Sequence, residues 1–370
     1  MTQRPKLEIS QCRARQERLL HVMSTLELDA VVLRRKAHIQ WLCGPRFGDH
    51  FDALAAIDSE GKVTLVAPHK EPDEAAADTV LAYPAKWLST MRNDQAMAAS
   101  EALLSACPEL TQMGRVGIEW SACSQHVVQR VQGECVDLDA DLFRLRRRKD
   151  ADELACLQFA IDATEKMYEC ARQIITPGVT EIDVFNALQE VAVSHFGEPL
   201  TGTGNDYQCN SRGGPPRGRR VAQAGELYIL DLGPAYRGYF ADNARTISVS
   251  DPSDEQLASW QQIQKVFEWV ETTVRPGKSC RELFNEVQAI LDQSPVGVFN
   301  HHLGHGIGLA PHEGPHLNPN WDDTFEVGDV FTAEPGLYDP DRLKAGMRLE
   351  NDYRVTESGV ELLTPFDLQL

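Results

Sequence analysis

The sequence predicts a two-domain α/β (α+β) chain, and three observations carry that expectation. Its 370 residues exceed the size at which a single hydrophobic core stops growing. Amphipathic helical stretches alternate with short apolar runs in both halves. Between the halves a basic run, Arg144, Arg146, Arg147, Arg148 and Lys149, leads into the helix-forming ADELACLQFAIDATEKMYECARQI. The run reads as a solvated linker entering a helix, which sets domains at 1–147 and 148–370.

The elements of the first domain follow in order. From Arg18 to about Pro68, a helical LLHVMSTLELDA alternates with the apolar runs AVVL and VTLVAP around the loop GPRFGDH. Apolar LLSAC, strand-like RVGIEW and helical SQHVVQRVQ come next. None of these stretches gathers residues that do chemistry.

The second domain opens with paired helices. Pro177, Gly178 and Thr180 announce the second of them, Asp183 lies three residues beyond Thr180 as in a capping box, and Val184, Leu188 and Val191 keep helical spacing. After Gly202 the stretch TGTGNDYQCNSRGGPPRGRR reads as a long loop without regular structure, and loops of that length are usually functional or disordered.

Leu227 to Leu232 is an apolar strand carrying one carboxylate, Asp231, whose burial requires a partner or a metal. A hairpin centred between Tyr236 and Arg237 returns as Tyr239 to Val249 and sets Asp242 opposite Asp231. Like charges that close are destabilising and call for a cation or a shared proton. Five of the eleven histidines then fall between His301 and His316, among glycines. Glu334 in VFTAEPGLY and Glu350 in MRLENDYRVT end apolar runs and suit a second, longer hairpin.

Bulk properties exclude other classes. With 36 basic and 55 acidic residues the net charge is −19, which disfavours nucleic acid or an anionic membrane as partner. No stretch reaches the 18 apolar residues of a membrane span and the N-terminus has no leader pattern, so a cytoplasmic chain is expected. The nine cysteines are scattered without zinc-site spacing and read as reduced, buried thiols.

Four carboxylates and a histidine form an oxygen-rich set suited to hard or borderline divalent ions such as manganese. Their excess charge implies more than one ion. Two ions about 3.5 to 4 Å apart activate water and polarise a carbonyl, so hydrolysis is the expected chemistry.

In order and spacing, DLGxxxxGYxxDxxRT, HxxxHxxGLxxHE, EPGxY and RxExxxxVT resemble the pita-bread metallopeptidases, which include methionine aminopeptidase, aminopeptidase P, prolidase and creatinase. The resemblance runs from about Arg146 to the C-terminus, and the first domain looks like the creatinase-type N-terminal domain. It implies that Asp231 binds one ion, that Asp242 and Glu350 bridge two, and that His305 and Glu334 complete the second, with Glu334 also moving protons. By the same resemblance His301 and His312 contact substrate or the tetrahedral intermediate, and Arg348 is a supporting arginine. His302 and His316 are left as bystanders.

The resemblance further implies a homodimer and access limited by the N-terminal domain and the partner. The ions would be two Mn2+, with Co2+, Zn2+ or Fe2+ as alternatives. The substrate would be a short peptide cleaved as by an Xaa-Pro dipeptidase or aminopeptidase P. Family peptidases carry another histidine about 17 residues before the first ligand aspartate. Gly214 stands there, no histidine occurs from Thr201 to Leu230, and Arg212, Arg217, Arg219 and Arg220 occupy the loop instead. Those arginines either hold a carboxylate or phosphate or form an exposed charged loop, and Gly214→His is expected to raise peptidase activity if the loop sits as in the family. The altered loop leaves open a non-peptidase reaction on a small molecule, by a lyase or a creatinase-like amidinohydrolase. A non-catalytic scaffold is disfavoured because all five ligand positions are kept.

Overall fold

In the first of two compact units, Met1–Arg146, six strands form one mixed sheet. The structure, a computed structural model, describes residues 4–370. Across the sheet the strands run Thr79–Tyr83, Val63–Pro68, Leu54–Asp58, Ala30–Leu33, Arg115–Ile118 and Glu134–Asp137. The central AVVL run is buried at all four positions, as an interior strand covered on both faces requires. The first helix spans Ile9–Thr25, earlier than the periodicity of LLHVMSTLELDA suggests. The reason is polar: buried Arg15 and Gln16 donate to the carbonyls of Trp41 and Leu42, each at 2.7 Å. Those carbonyls end the helix Lys36–Cys43 and have no partner within it.

The second unit, Arg147–Leu370, twice combines a helix pair with an antiparallel hairpin. Helices Ala151–Ile174 and Glu181–Phe196 precede the sheet Asn243–Ser248, Leu227–Leu232, Asp206–Cys209. Thr180 caps the second helix by accepting from the Asp183 amide at 3.1 Å, and Gly197 ends it in the left-handed conformation. Helices Asp254–Thr273 and Cys280–Leu291 pack Val266, Val270, Leu283 and Val287 against Phe331 and Tyr353 of a five-stranded antiparallel sheet. Its order is Glu313–Leu317, Gly304–Gly306, Val330–Ala333, Asn351–Val355, Val360–Leu362.

Two expectations fail here. The stretch after Gly202 contains a strand, Asp206–Cys209, paired antiparallel with Leu227–Leu232. Four residues are too few to show a period, so only the partner reveals it. The basic run is no solvated linker: it ends the helix Asp139–Arg147, and Arg146, Arg147 and Lys149 are buried. Arg147 meets Asp329 with Nε to Oδ1 at 3.0 Å and Nη2 to Oδ2 at 2.6 Å, while Lys149 meets buried Glu313 at 3.4 Å. Those acids lie far along the chain, out of reach of any local pattern.

Removing one partner of a buried pair strands the other charge and typically costs about 3 to 5 kcal/mol. Arg147→Ala is therefore expected to lower the unfolding free energy of the second unit by that order, read as a lower urea midpoint. An unchanged midpoint would show that Asp329 finds other compensation.

Candidate metal centre

The site exists because two hairpins lie edge to edge. In the first, Ala235–Tyr236 pairs with Tyr239–Phe240 through the turn Arg237–Gly238, where φ is 50° and 89°. Two successive positive φ values make a type I′ turn, which favours glycine at its second position. The turn therefore sits one residue later than the expected centre. Asp231 pairs with Ala244, and Asp242 falls just before the strand Asn243–Ser248. Two residues from Ala244, it shares a sheet face with Asp231 as a diagonal neighbour.

The second hairpin keeps one register throughout. Ala333 pairs with Asn351 and Gly336 with Arg348, so Glu334 and Glu350 stand opposite each other in the gap between the two ladders. The hairpins are then stitched together. The Glu350 amide donates to the Ala244 carbonyl at 2.9 Å, and the Thr246 hydroxyl donates to the Arg348 carbonyl at 3.0 Å. Asn243 and Arg245 both donate to the Glu350 carbonyl.

The histidine segment joins from the other side, where the Glu334 amide donates to the Leu303 carbonyl at 2.7 Å. His305 lies on the short strand Gly304–Gly306. A Cβ on Gly304 would come within 2.0 Å of the Thr332 carbonyl oxygen and one on Gly306 within 2.0 Å of that of Gly314. Only glycines on both sides allow the neighbouring strands so close.

The five expected ligands converge. Asp231, Asp242 and Glu350 each offer an oxygen within 4.8 Å of one another, and Asp242 does the same with His305 and His312. His305 Nε2 is 3.3 Å from Glu334 Oε1 and 3.7 Å from Asp242 Oδ2. The His312 ring stacks on His305 with centroids 3.6 Å apart. His301 Nδ1 lies 3.5 Å from Glu334 Oε2. Arg348 donates to Asp231 at 2.8 Å, and its Nε is 4.0 Å from Glu334.

Several residues near this cluster escaped the sequence reading. His302, expected to be a bystander, forms a third close group with His301 and Glu334. Asp206, paired across strands with Asp231, shares the Arg348 guanidinium. Thr332 donates to Glu334 at 3.4 Å and accepts from the His305 amide at 3.2 Å. Adjacent histidines were a readable signal for His302; Asp206 had none, because its strand was not recognised. His316, by contrast, bonds Asp323 at 2.8 Å and stacks on Trp321, which is a structural role.

Burial of like charges governs the electrostatics. Burial, followed by the Asp231 charge, raises the Asp242 carboxyl well above the carboxylate range; burial and Glu334 do the same to Glu350. Burial pushes Glu334 up to about 8 despite the opposing Arg348. Burial, and then the crowding of one histidine by the next, lowers His301 to about 3 and His302 to about 4, and the same causes take His305 well below its usual value. Neutral imidazoles beside crowded carboxyls are poised to bind cations.

Whether these residues fit a metal is tested by their orphaned atoms. Asp231 Oδ1 and Glu350 Oε1 are buried without a hydrogen-bond partner among the described residues, although buried carboxylate oxygens are ordinarily satisfied. Both belong to the close group of three carboxylates, so the donor set fits hard or borderline divalent ions.

Comparison with known proteins agrees with this geometry. The model described as Metallopeptidase family M24 matches residues 155–357, and that of the Creatinase/Prolidase N-terminal domain matches residues 15–147. An uncharacterized peptidase of Staphylococcus aureus (strain USA300) is 26% identical over 369 residues, covering 95% of this chain and 98% of its own. The Xaa-Pro dipeptidase from Bacillus anthracis superposes with a TM-score of 0.82 at 22% identity, over 97% of this chain and 99% of that one. The prolidase from Pyrococcus furiosus gives a TM-score of 0.77 at 22% identity, over 94% and 99%. At that identity the two structures speak for the fold.

Proposed function

We propose, on the premise that the chain belongs to metallopeptidase family M24, that residues 148–370 hydrolyse short peptides of the Xaa-Pro type with two divalent ions, manganese by preference. Asp231, Asp242, His305, Glu334 and Glu350 would hold the ions. The observation that carries this reading is the pair of buried, unpartnered oxygens on Asp231 and Glu350 within one close group of carboxylates. When bound, such ions supply an activated water and polarise the scissile carbonyl.

The remaining work falls to the protein. Arg348 holds Asp231 Oδ2 at 2.8 Å and so fixes the carboxylate whose Oδ1 is left without a partner. Glu334, whose Oε2 faces His301 Nδ1 at 3.5 Å, is placed to pass a proton to the departing amine. His301 stays neutral at physiological pH and offers a hydrogen bond without adding charge. His312, exposed and stacked on His305, lines the approach to the ligands.

Elemental analysis joined to an Xaa-Pro dipeptide assay with added manganese tests the reading. About two ions per chain with release of proline supports it, and a metal-free, inactive protein overturns it. Metal without peptide cleavage favours the alternative of a lyase or amidinohydrolase acting on a small molecule, to which the histidine-free loop at 201–230 points. His312→Ala is expected to slow turnover roughly 10- to 100-fold while metal content stays near wild type, the scale of a group packed against a metal ligand. Loss of metal in that variant would make His312 a ligand.

A further inference from the structure

We infer that Trp321 selects the substrate by stacking on the side chain that precedes the scissile bond, so that the site favours peptides with an aromatic or large apolar residue there. The inference rests on the hydrolytic reading above and adds to it the class of residue on the acyl side.

A row of rings leads from the metal centre to the surface. The His301 and His302 centroids are 4.1 Å apart, and His302 stacks on His305 at 5.4 Å. His305 is paired across strands with His316. Residues directly opposite on an antiparallel ladder share a face, with Cβ atoms roughly 5 Å apart, so His316 stands on the side that carries the ligand. Trp321 ends the row: its ring stacks on His316 with centroids 4.9 Å apart and planes 18° from parallel. One face of the indole is thereby covered. Trp321 nevertheless keeps 47% of its surface exposed, which leaves the other face open.

The direction of the row sets which part of a substrate meets the indole. Glu334, placed to pass a proton to the departing amine, faces His301. Trp321 stands at the opposite end of the row and so flanks the acyl half of the peptide, away from the leaving residue.

The platform is fixed before any substrate arrives. His316 is tied to Asp323 Oδ2 twice, from its amide at 2.7 Å and from Nδ1 at 2.8 Å. The Cys280 amide donates to the Asp323 carbonyl at 2.9 Å, Asp322 is paired with Arg281, and the Trp321 amide donates to the Asn318 carbonyl at 3.4 Å. A single exposed apolar side chain ordinarily needs no explanation. Trp321 differs in its fixed posture and its place beside a ligand, and an indole held this way binds a flat apolar group at little cost in conformational freedom. Trp269, 39% exposed, lies on the helix Asp254–Thr273 and donates its indole N–H to Glu286 at 2.8 Å.

The arginine-rich loop is committed to other contacts. Arg217 grips Glu181 with Nη2 at 2.6 Å and Nε at 3.1 Å, and Arg220 is paired with Glu226, so both are structural pegs. Arg212, on the face of Tyr338, and Arg219 are exposed. Gly214 holds a φ of 125° and a Cβ there would meet Gln208 at 2.8 Å, so Gly214→His strains the loop, contrary to the gain expected from sequence.

Steady-state kinetics and calorimetric binding are to be compared for glycyl-proline and phenylalanyl-proline on the manganese-loaded wild type, Trp321→Ala and, as a control, Trp269→Ala. The expected result is a preference of roughly tenfold in kcat/KM for phenylalanyl-proline in wild type and Trp269→Ala, the scale of one aromatic pair. Trp321→Ala loses that preference through a rise in KM for phenylalanyl-proline, as when binding common to ground and transition states is removed. Equal kcat/KM for the two peptides in wild type, an undiminished preference in Trp321→Ala, or a fall in kcat of equal size for both peptides overturns the assignment. Tighter binding of phenylalanyl-proline without hydrolysis, again lost in Trp321→Ala, would keep Trp321 in place and overturn the peptidase reading instead.

Discussion

Asp242→Ala is expected to abolish turnover, with kcat/KM falling more than about a hundredfold, because even outer partners of metal ligands are commonly worth 10- to 100-fold. Asp242 is the residue shared by two of the close groups, one with His305 and His312 and one with Asp231 and Glu350. Its removal breaks both. It also removes a carboxyl held far from its ordinary state by burial and by Asp231, so the metal-free variant should be at least as thermally stable as wild type. Metal content by elemental analysis and steady-state kinetics on one preparation decide the matter. A variant with full turnover and stoichiometric metal would remove Asp242 from the centre.

The second large effect is on pH and metal. Glu334 is raised to about 8, and Asp242 and Glu350 well above their ordinary values, so the folded, metal-free protein holds protons that the unfolded chain has released. Where the folded state binds more protons, stability falls as pH rises. His301 and His302, lowered to about 3 and about 4, act in the opposite sense, but only below the ordinary histidine value near 6.5. The thermal midpoint of the metal-free protein is therefore expected to fall between about pH 6.5 and 8, and added manganese to restore more of it at the upper end. Binding should also release protons, since ligands must be deprotonated. Scanning calorimetry at several pH values, with and without metal, checks this, and a metal-free midpoint that rose with pH would contradict it.

The sequence showed most clearly what depends on local pattern. The strand Leu227–Leu232 and the cap at Thr180 stand as expected, and the five expected ligand residues lie together. What it hid depends on partners. The register of the first hairpin turned on which residues of Tyr236–Arg237–Gly238 take positive φ, and the strand Asp206–Cys209 appears only against its neighbour. Arg147 and Lys149 looked solvated because Asp329 and Glu313 belong to a distant part of the chain. The fate of each loop arginine was equally invisible, since Glu181 and Glu226 decide it.

The unbroken register of the second hairpin limits how its sequence can drift. Side chains alternate faces along a strand, so inserting or deleting one residue between Glu334 and the ladder at Gly336–Leu337 would carry one glutamate to the opposite side of the sheet. Changes at the far end, between the Leu337 and Met347 pair, leave the pairing of the two acids intact. The hairpin tip can therefore lengthen or shorten without moving the acids, while the few residues on either side of them must keep their number whatever their identities.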